Sequence, residues 1–233
     1  MVQAEVEPTG QIGDNAPTTL LFPPSQPVSW RGGGHPASPP PVPDPHARPP
    51  VGDGLGLDRS EVRLSPHNPD WVALGERECA AVAALLGDLA VTVVHVGSTE
   101  VPGLEAKPIL DIVAAVGDRV RIDDVVARLC AGGDYAYEGD KRDDGGLLFV
   151  RGENTVRTVH IHVVGQKSRA WTDYLRFHAL LRDDADARDR YQSAKRELAR
   201  TFARDRPGYT KAKGAVVEEL LASDDRPPTP HPR

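Results

Sequence analysis

Apolar residues recur along the middle of the chain with two different periods, which predict helices and strands in turn. Spacings of three and four residues predict a first helix over 71–86, and Gly87 is suited to end it. Runs rich in β-branched residues at 89–96 and 109–116 predict the first two strands. The middle of the chain therefore begins as a helix followed by two strands.

The next stretch continues the same mixture. Helical spacing returns at 123–129, and short apolar runs predict strands at 135–137 and 147–150. The segment 156–164 alternates, with Val159, Ile161 and Val163 on one side and Thr158, His160 and His162 on the other. Because side chains alternate across a strand, we expect the two histidines to share one face of the sheet.

The last third of the chain carries a helical pattern. Apolar positions at helical spacing predict three helices, which begin near Ala170, before Tyr191 and near Tyr209. Together with the strands, they predict an α+β domain in which a mixed sheet is flanked by helices and followed by a C-terminal helical set.

Composition divides the chain into one domain and two tails. Residues 1–57 hold thirteen of the twenty-two prolines, and such a segment buries too little apolar surface to offset its ordering entropy. We therefore expect disordered tails at 1–57 and 224–233, around a folded domain at 58–223. Cys79 and Cys130 stand apart from other metal-binding residues, which predicts free thiols.

Charge and hydropathy narrow the class of partner. The net charge is −6, yet 167–221 holds thirteen Lys and Arg against nine Asp and Glu. A locally basic face suits a small polyanion, and without interleaved aromatics it does not predict nucleic-acid binding. We see neither a secretory signal nor a run long enough to span a membrane. The expected location is cytoplasmic, and the oligomeric state is left open.

The residues best suited to form a binding or catalytic site lie in and between the first two strands. Gly97 and Ser98 follow the first strand, and Asp111 lies in the second, where a carboxylate is costly unless it is paired or holds a metal. A glycine-serine loop beside such a carboxylate can cradle phosphates while the carboxylate holds a divalent cation. The alternatives are an ordinary turn, and an ion pair of Asp111 with Lys107.

Two later features add candidate ligands. His160 and His162 could bind a metal or act as a general base, or they could be polar residues on a solvated face. Tyrosine precedes lysine by four residues twice, in Tyr191 with Lys195 and in Tyr209 with Lys213. Each pair shares a helical face. The lysines either meet a triphosphate or lie over an apolar stripe.

These motifs together resemble the GrpB family and, more broadly, the nucleotidyltransferase superfamily related to DNA polymerase beta. The resemblance covers about residues 60–222. Its motifs are the stretch from His95 to Ile112, Pro69-Asp70-Trp71, His160-Ile161-His162, Tyr191 with Lys195, and Tyr209-Thr210 with Lys213.

The resemblance implies a nucleotidyltransferase-like fold and a transferase that uses a nucleoside triphosphate such as ATP with a divalent cation, magnesium by default. The acceptor is a small molecule. The implied catalytic residues are Asp111, His160 and His162, with Asp111 and His162 as metal ligands. The implied nucleotide- and phosphate-binding residues are Gly97, Ser98, Thr99, Lys107, Tyr191, Lys195 and Lys213.

The chain also departs from the superfamily pattern. Val113 stands where a second carboxylate is expected, and a two-metal phosphoryl-transfer site needs several oxygen ligands. One alternative is a nucleotide-binding or regulatory module that has lost its chemistry, with a coenzyme A-related ligand, since the family also occurs fused to dephospho-coenzyme A kinase. Another is a reaction on a substrate that is not a nucleotide.

Overall fold

The computed structural model of the chain describes residues 54–131, 134–141 and 146–224. Within these ranges the helices are α1 (Asp70–Leu86), α2 (Ile122–Ala131), α3 (Arg169–Asp183), α4 (Ala185–Thr201) and α5 (Arg206–Ala222). The strands are β1 (Leu57–Asp58), β2 (Ala90–Val96), β3 (Leu110–Val116), β4 (Ala136–Asp140), β5 (Leu147–Arg151), β6 (Val156–Arg157) and β7 (Val159–Gly165).

Five strands form a mixed sheet in the order β2-β3-β7-β5-β4. Of the pairs described, β3 with β7 is parallel and the others are antiparallel. This confirms the predicted α+β class. A single strand over 156–164 was the wrong prediction: Val156 and Arg157 pair with β1, and β7 begins after Thr158. The Thr158 N–H donates to the Arg151 carbonyl at 2.8 Å, which ends β6.

One face of the sheet packs against α1 and α2. Its core includes the fully buried Ile112, Phe149 and Ile161, covered by Trp71 and Leu129 from the two helices. These are the apolar positions of the alternating strands, and burying each such side chain contributes about 1.5–3 kcal/mol. Burial of this face fixes the register of β3 and β7 and turns their intervening residues to the opposite side.

The opposite face lies under the C-terminal helices. Trp171 of α3 packs on Val113 and Val164, and the Ser168 side chain caps that helix by accepting from the Trp171 N–H at 3.1 Å. A separate apolar cluster joins the loop after β2 to α3, α4 and α5. The polar residues of β3 and β7 therefore lie between the sheet and these helices.

A buried ion pair ties α1 to β5. Arg151 Nη2 lies 2.9 Å from Glu78 Oε2, with the two side chains 10% and 1% exposed. The Tyr135 hydroxyl donates to the other Glu78 oxygen at 2.6 Å. The Glu78 carboxylate is thereby paired by both of its oxygens, as burial of a charge requires.

The expected tails fall mostly outside the described residues. The described part begins before residue 58, and Leu55 and Leu57 already belong to the buried core. Residues 142–145, between β4 and β5, also lie outside it. None of the described helices combines the length and the apolar character needed to cross a membrane.

Candidate functional site

The centre of the site is a carboxylate–imidazole contact between the two parallel strands. Asp111 and His160 are the second residues of β3 and β7 and pair in register. His160 Nδ1 lies 3.2 Å from Asp111 Oδ1. His162 follows on the same face, and its ring centroid lies 5.3 Å from that of Tyr174. The predicted sharing of a face by the two histidines is confirmed.

The three side chains can offer ligand atoms to one ion. One atom each from Asp111, His160 and His162 lie within 4.8 Å of one another. His162 Nδ1 is buried and has no hydrogen-bond partner in the described part of the chain. Asp111 keeps 34% of its side chain exposed. Two imidazoles and one carboxylate suit a transition metal better than magnesium, which prefers oxygen ligands.

The carboxylate is held ionised and the imidazoles neutral. Burial alone would raise the pKa of Asp111, but the hydrogen bond from His160 and the charge of Lys213 hold it below its ordinary value. Burial lowers the pKa of His162 to about 4 and also lowers that of His160. These are the protonation states that metal ligands require.

Gly97 brings the backbone of the first loop against Asp111. Its φ is +79°, and an added Cβ would lie 3.2 Å from Asp111 Oδ2. Glycine meets both demands of this position, a left-handed backbone and a close approach. The loop lies close to Asp111, as predicted.

The loop after β2 is clamped by α4. Lys195 is 2% exposed, and its ammonium donates to Ser98 Oγ at 2.9 Å and to the Glu105 carbonyl. Gln192 accepts from the Glu105 N–H at 2.9 Å, and Arg196 donates to the Glu105 carboxylate through two nitrogens. The loop is therefore preorganised, and the Ser98 hydroxyl already has a protein partner.

Two predicted phosphate-binding residues lie inside the protein. Thr99 is 1% exposed, and its Oγ1 lies 2.9 Å from Nε2 of the buried His95. Tyr191 is 3% exposed, stacks edge-on against Phe177, and lies beneath Lys195. In this structure neither side chain has a surface free for a ligand. Thr99 packs within the loop, and Tyr191 packs within the helical set.

Lys107 and Lys213 supply positive charge close to Asp111. Lys107 lies over the Tyr209 ring, 5.4 Å from its centroid. Neither ammonium forms an ion pair or hydrogen bond with any residue the structure describes. Burial, then the charges of Lys213 and Arg206, lower the pKa of Lys107 to about 7. The pKa of Lys213 is raised by Tyr191 ahead of the opposing effect of burial, and also by Asp111.

Sequence reasoning missed Arg206, the first residue of α5. Its Nη2 lies 3.5 Å from His160 Nε2, and its Nη1 donates to the Asp58 carbonyl at 3.2 Å. Arginine can only donate, so His160 accepts at Nε2 and carries its proton on Nδ1 toward Asp111. The residue belongs to no motif that singles it out, and its proximity to His160 arises from tertiary structure.

No second carboxylate joins Asp111 among the described residues. Val113, on the same face, is fully buried beneath α3. Glu138 lies on β4 at the far edge of the sheet and pairs with Arg157 at 2.8 Å. The site is therefore one carboxylate and two imidazoles, surrounded by cations.

Comparisons with known proteins agree with this architecture. The family described as GrpB protein matches residues 61–223. The chain is 39% identical to a UPF0157 protein of Streptomyces coelicolor over 70% of its own length and 83% of the relative. It is 28% identical to the glutamate-rich protein GrpB of Alkalihalophilus pseudofirmus, over 72% and 98%. The crystal structure of the conserved protein GrpB from Enterococcus faecalis is similar, with TM-score 0.59 and 27% identity, over 69% of this chain and 98% of that one.

Proposed function

The chain belongs to the GrpB family, and from this premise we propose that it is a metal-dependent, nucleotidyltransferase-like enzyme. It takes a nucleoside triphosphate and transfers its nucleoside monophosphate part to a small-molecule acceptor. One observation carries the proposal. The ligand atoms of Asp111, His160 and His162 converge, and the unpaired ammonium groups of Lys107 and Lys213 act on the same carboxylate.

The donor set supports a divalent ion. Asp111 and His162 hold it, and His160 orients Asp111 through its Nδ1–H. Nitrogen ligands favour zinc or cobalt over magnesium. A bound divalent ion supplies positive charge that stabilises the developing charge on a phosphoryl group.

The lysines support an anionic substrate. A partly buried ammonium group without an anionic partner is costly, and a phosphate supplies the missing interaction. Lys107 and Lys213 therefore offset phosphate charge, while the Gly97 backbone keeps the loop close to the carboxylate. Lys195 acts indirectly, because it positions Ser98.

His160 is the residue suited to handle a proton. Its lowered pKa leaves the imidazole neutral at pH 7, and its Nδ1 is oriented by Asp111. Nε2 is the acceptor nitrogen of this tautomer, and when a substrate displaces the Arg206 contact it can take the proton of an acceptor hydroxyl or amine, as general-base catalysis requires.

The test begins with the metal. Cobalt(II) added to the metal-free protein should give a d–d absorption spectrum, and Asp111→Asn should weaken cobalt binding by about 100-fold or more, because the carboxylate ligand is lost. Asp118→Asn is the matched control, since Asp118 pairs with Lys167 on the surface. Equal binding by both variants would remove the metal site from consideration.

Activity is measured as pyrophosphate release from each of four nucleoside triphosphates, with zinc, manganese, cobalt or magnesium and a panel of hydroxyl and amine acceptors. The proposal expects acceptor-dependent release that Asp111→Asn abolishes and Asp118→Asn retains. Release that is indifferent to Asp111 would contradict it.

A second candidate function is a binding or regulatory module. The specific observation in its favour is Val113, whose full burial leaves the site with one carboxylate. This candidate expects nucleotide or coenzyme A-related ligands to bind with dependence on Lys107 and Asp111, but without pyrophosphate release under any condition of the panel.

A further inference from the structure

Arg206 occupies the side of His160 opposite Asp111. The His160 ring bridges the two, with Nδ1 at 3.2 Å from Asp111 Oδ1 and Nε2 at 3.5 Å from Arg206 Nη2. The guanidinium group is therefore fixed beside the proposed metal site by one backbone carbonyl and one imidazole. It is held in place without being neutralised.

The Asp58 carboxylate does not pair with Arg206. Arg206 Nη1 donates to the Asp58 carbonyl, whereas the Asp58 carboxylate accepts from Ser60 at 2.6 Å and from Thr155. Those hydrogen bonds, Ser60 first, lower the pKa of Asp58 to about 2. Within the described ranges, no acidic side chain lies at ion-pair distance from Arg206.

The guanidinium group keeps unused donors. Arginine has five N–H groups in a planar fork, and two of them account for the contacts with Asp58 and His160. The remaining donors match the two oxygens of a phosphate or carboxylate. Burial, then nearby charges that include Arg157 and Arg59, lower the pKa of Arg206 from its high ordinary value, against the opposing effect of Asp111 and Asp58.

Arg206 adds a third cation to Lys107 and Lys213 around the site. Its guanidinium contacts His160 on the side opposite Asp111, and its charge acts on Lys107 and on Asp111. A single phosphate presents one anionic group to these cations, whereas an oligophosphate presents successive anionic groups.

We propose that Arg206 binds a second anionic group of the ligand in bidentate fashion, while Lys107 and Lys213 hold the first. The ligand is then an oligophosphate, and Arg206 distinguishes it from a monophosphate. This inference rests on the proposed function, because it requires the anion-binding site around Asp111.

The experiment uses titration calorimetry of the full chain with phosphate, pyrophosphate and malonate. Wild type should bind pyrophosphate at least ~10-fold more tightly than phosphate, which corresponds to one additional charge-assisted contact. Arg206→Met should remove most of that preference and leave phosphate affinity within about threefold. Arg206→Lys should be intermediate, because it keeps the charge and loses the fork.

Arg204→Met is the matched control, an exposed arginine two residues away, and it should bind as wild type does. Cobalt binding by Arg206→Met should be unchanged, which shows that the metal site is intact. If Arg206→Met were poorly folded, Arg206→Lys alone would carry the test, and an unchanged preference in it would overturn the inference.

The remaining outcomes separate the two proposals. If wild type binds pyrophosphate but the preference survives Arg206→Met, or if both anions are lost together, this inference fails and the proposed function stands. If wild type binds malonate as tightly as pyrophosphate, the ligand is a dicarboxylate and the oligophosphate assignment is wrong. If wild type binds neither cobalt nor any of the anions, both proposals fall.

Discussion

His160 Nδ1 lies 3.2 Å from Asp111 Oδ1 across the parallel pair of β3 and β7. The contact exists because both residues are second in their strands and the strands are in register. With Arg206 donating on the other side, the imidazole is neutral and its tautomer is fixed. The side chains that can bind a metal or transfer a proton therefore lie on the face of the sheet beneath the C-terminal helices.

Substitution of Gly97 should disturb Asp111 specifically. Gly97 and Gly103 share a φ of +79°, but an added Cβ meets Asp111 Oδ2 at 3.2 Å from Gly97 and nothing within 4 Å from Gly103. Alanine at either position carries backbone strain of roughly 1–2 kcal/mol. We expect Gly97→Ala alone to weaken cobalt binding, by about 10-fold. Equal cobalt affinity in the two variants would show that the close approach is unimportant.

Alanine substitutions at two helical glycines should change the free energy of unfolding in opposite directions. A Cβ at Gly75 in α1 would overlap the buried His95 ring, whereas Gly214 in α5 has open space. Gly75→Ala should lower the free energy of unfolding by ~1–3 kcal/mol through overpacking. Gly214→Ala should raise it by up to ~1 kcal/mol through helix propensity. Urea denaturation followed by circular dichroism measures both, and destabilisation of the same size in both would contradict the packing described for α1.

Loss of the Arg151 side chain should lower the free energy of unfolding strongly. Arg151→Met leaves the Glu78 carboxylate buried and without its cation, which costs about 3–5 kcal/mol. Lys167→Met removes an exposed pair with Asp118 and should leave the denaturation midpoint unchanged. A small effect of Arg151→Met in the same denaturation experiment would mean that the pair is replaceable by apolar packing.

Folding stability should fall as the pH drops from 6.5 to 4. Burial lowers the pKa of His95 to about 4, with His178 and His67 acting in the same direction and Asp111 against it. Burial and Arg182 likewise lower the pKa of His178 to about 4, against Asp183.

The unfolded chain therefore binds more protons in this window, so stability is complete above the unfolded value near 6.5 and is lost below it. Glu100, whose pKa burial raises, opposes the trend in part. Thermal unfolding from pH 7.5 to 4.5 measures the slope. His178→Gln should flatten it, and a slope that this variant leaves unchanged would exclude the histidine as its source.

Anion binding should weaken as the pH rises above about 7. The pKa of Lys107 is lowered to about 7 by burial and by neighbouring cations, and a bound anion raises it again. Binding is therefore coupled to proton uptake, and affinity falls once free Lys107 has lost its proton. Pyrophosphate titrations in buffers of different ionisation enthalpy measure this uptake. Lys107→Met should abolish it, and persistence in that variant would assign the proton to another group.

Much of the site could be predicted because its signals are local. Alternation along 158–163 placed His160 and His162 on one face, and a charged residue in an apolar run marked Asp111. Gly87 ended the first helix as expected, since its positive φ of 56° is a local requirement.

What could not be predicted depends on contacts between distant segments. The partner of Ser98 lies 97 residues away, on α4, and Arg206 meets His160 across 46 residues. The division of 156–164 into two strands arises because β1 takes Val156 and Arg157 as partners. None of these pairings leaves a periodic trace in the sequence.

The parallel pairing of β3 with β7 also bears on how the chain folds. Asp111 and His160 are 49 residues apart, and closing so long a loop lowers chain entropy before any contact compensates for it. We therefore expect local pairs such as β2 with β3 to form earlier. The ligand-binding competence of a refolding chain should appear in its slowest kinetic phase, after most of the helical signal has been regained.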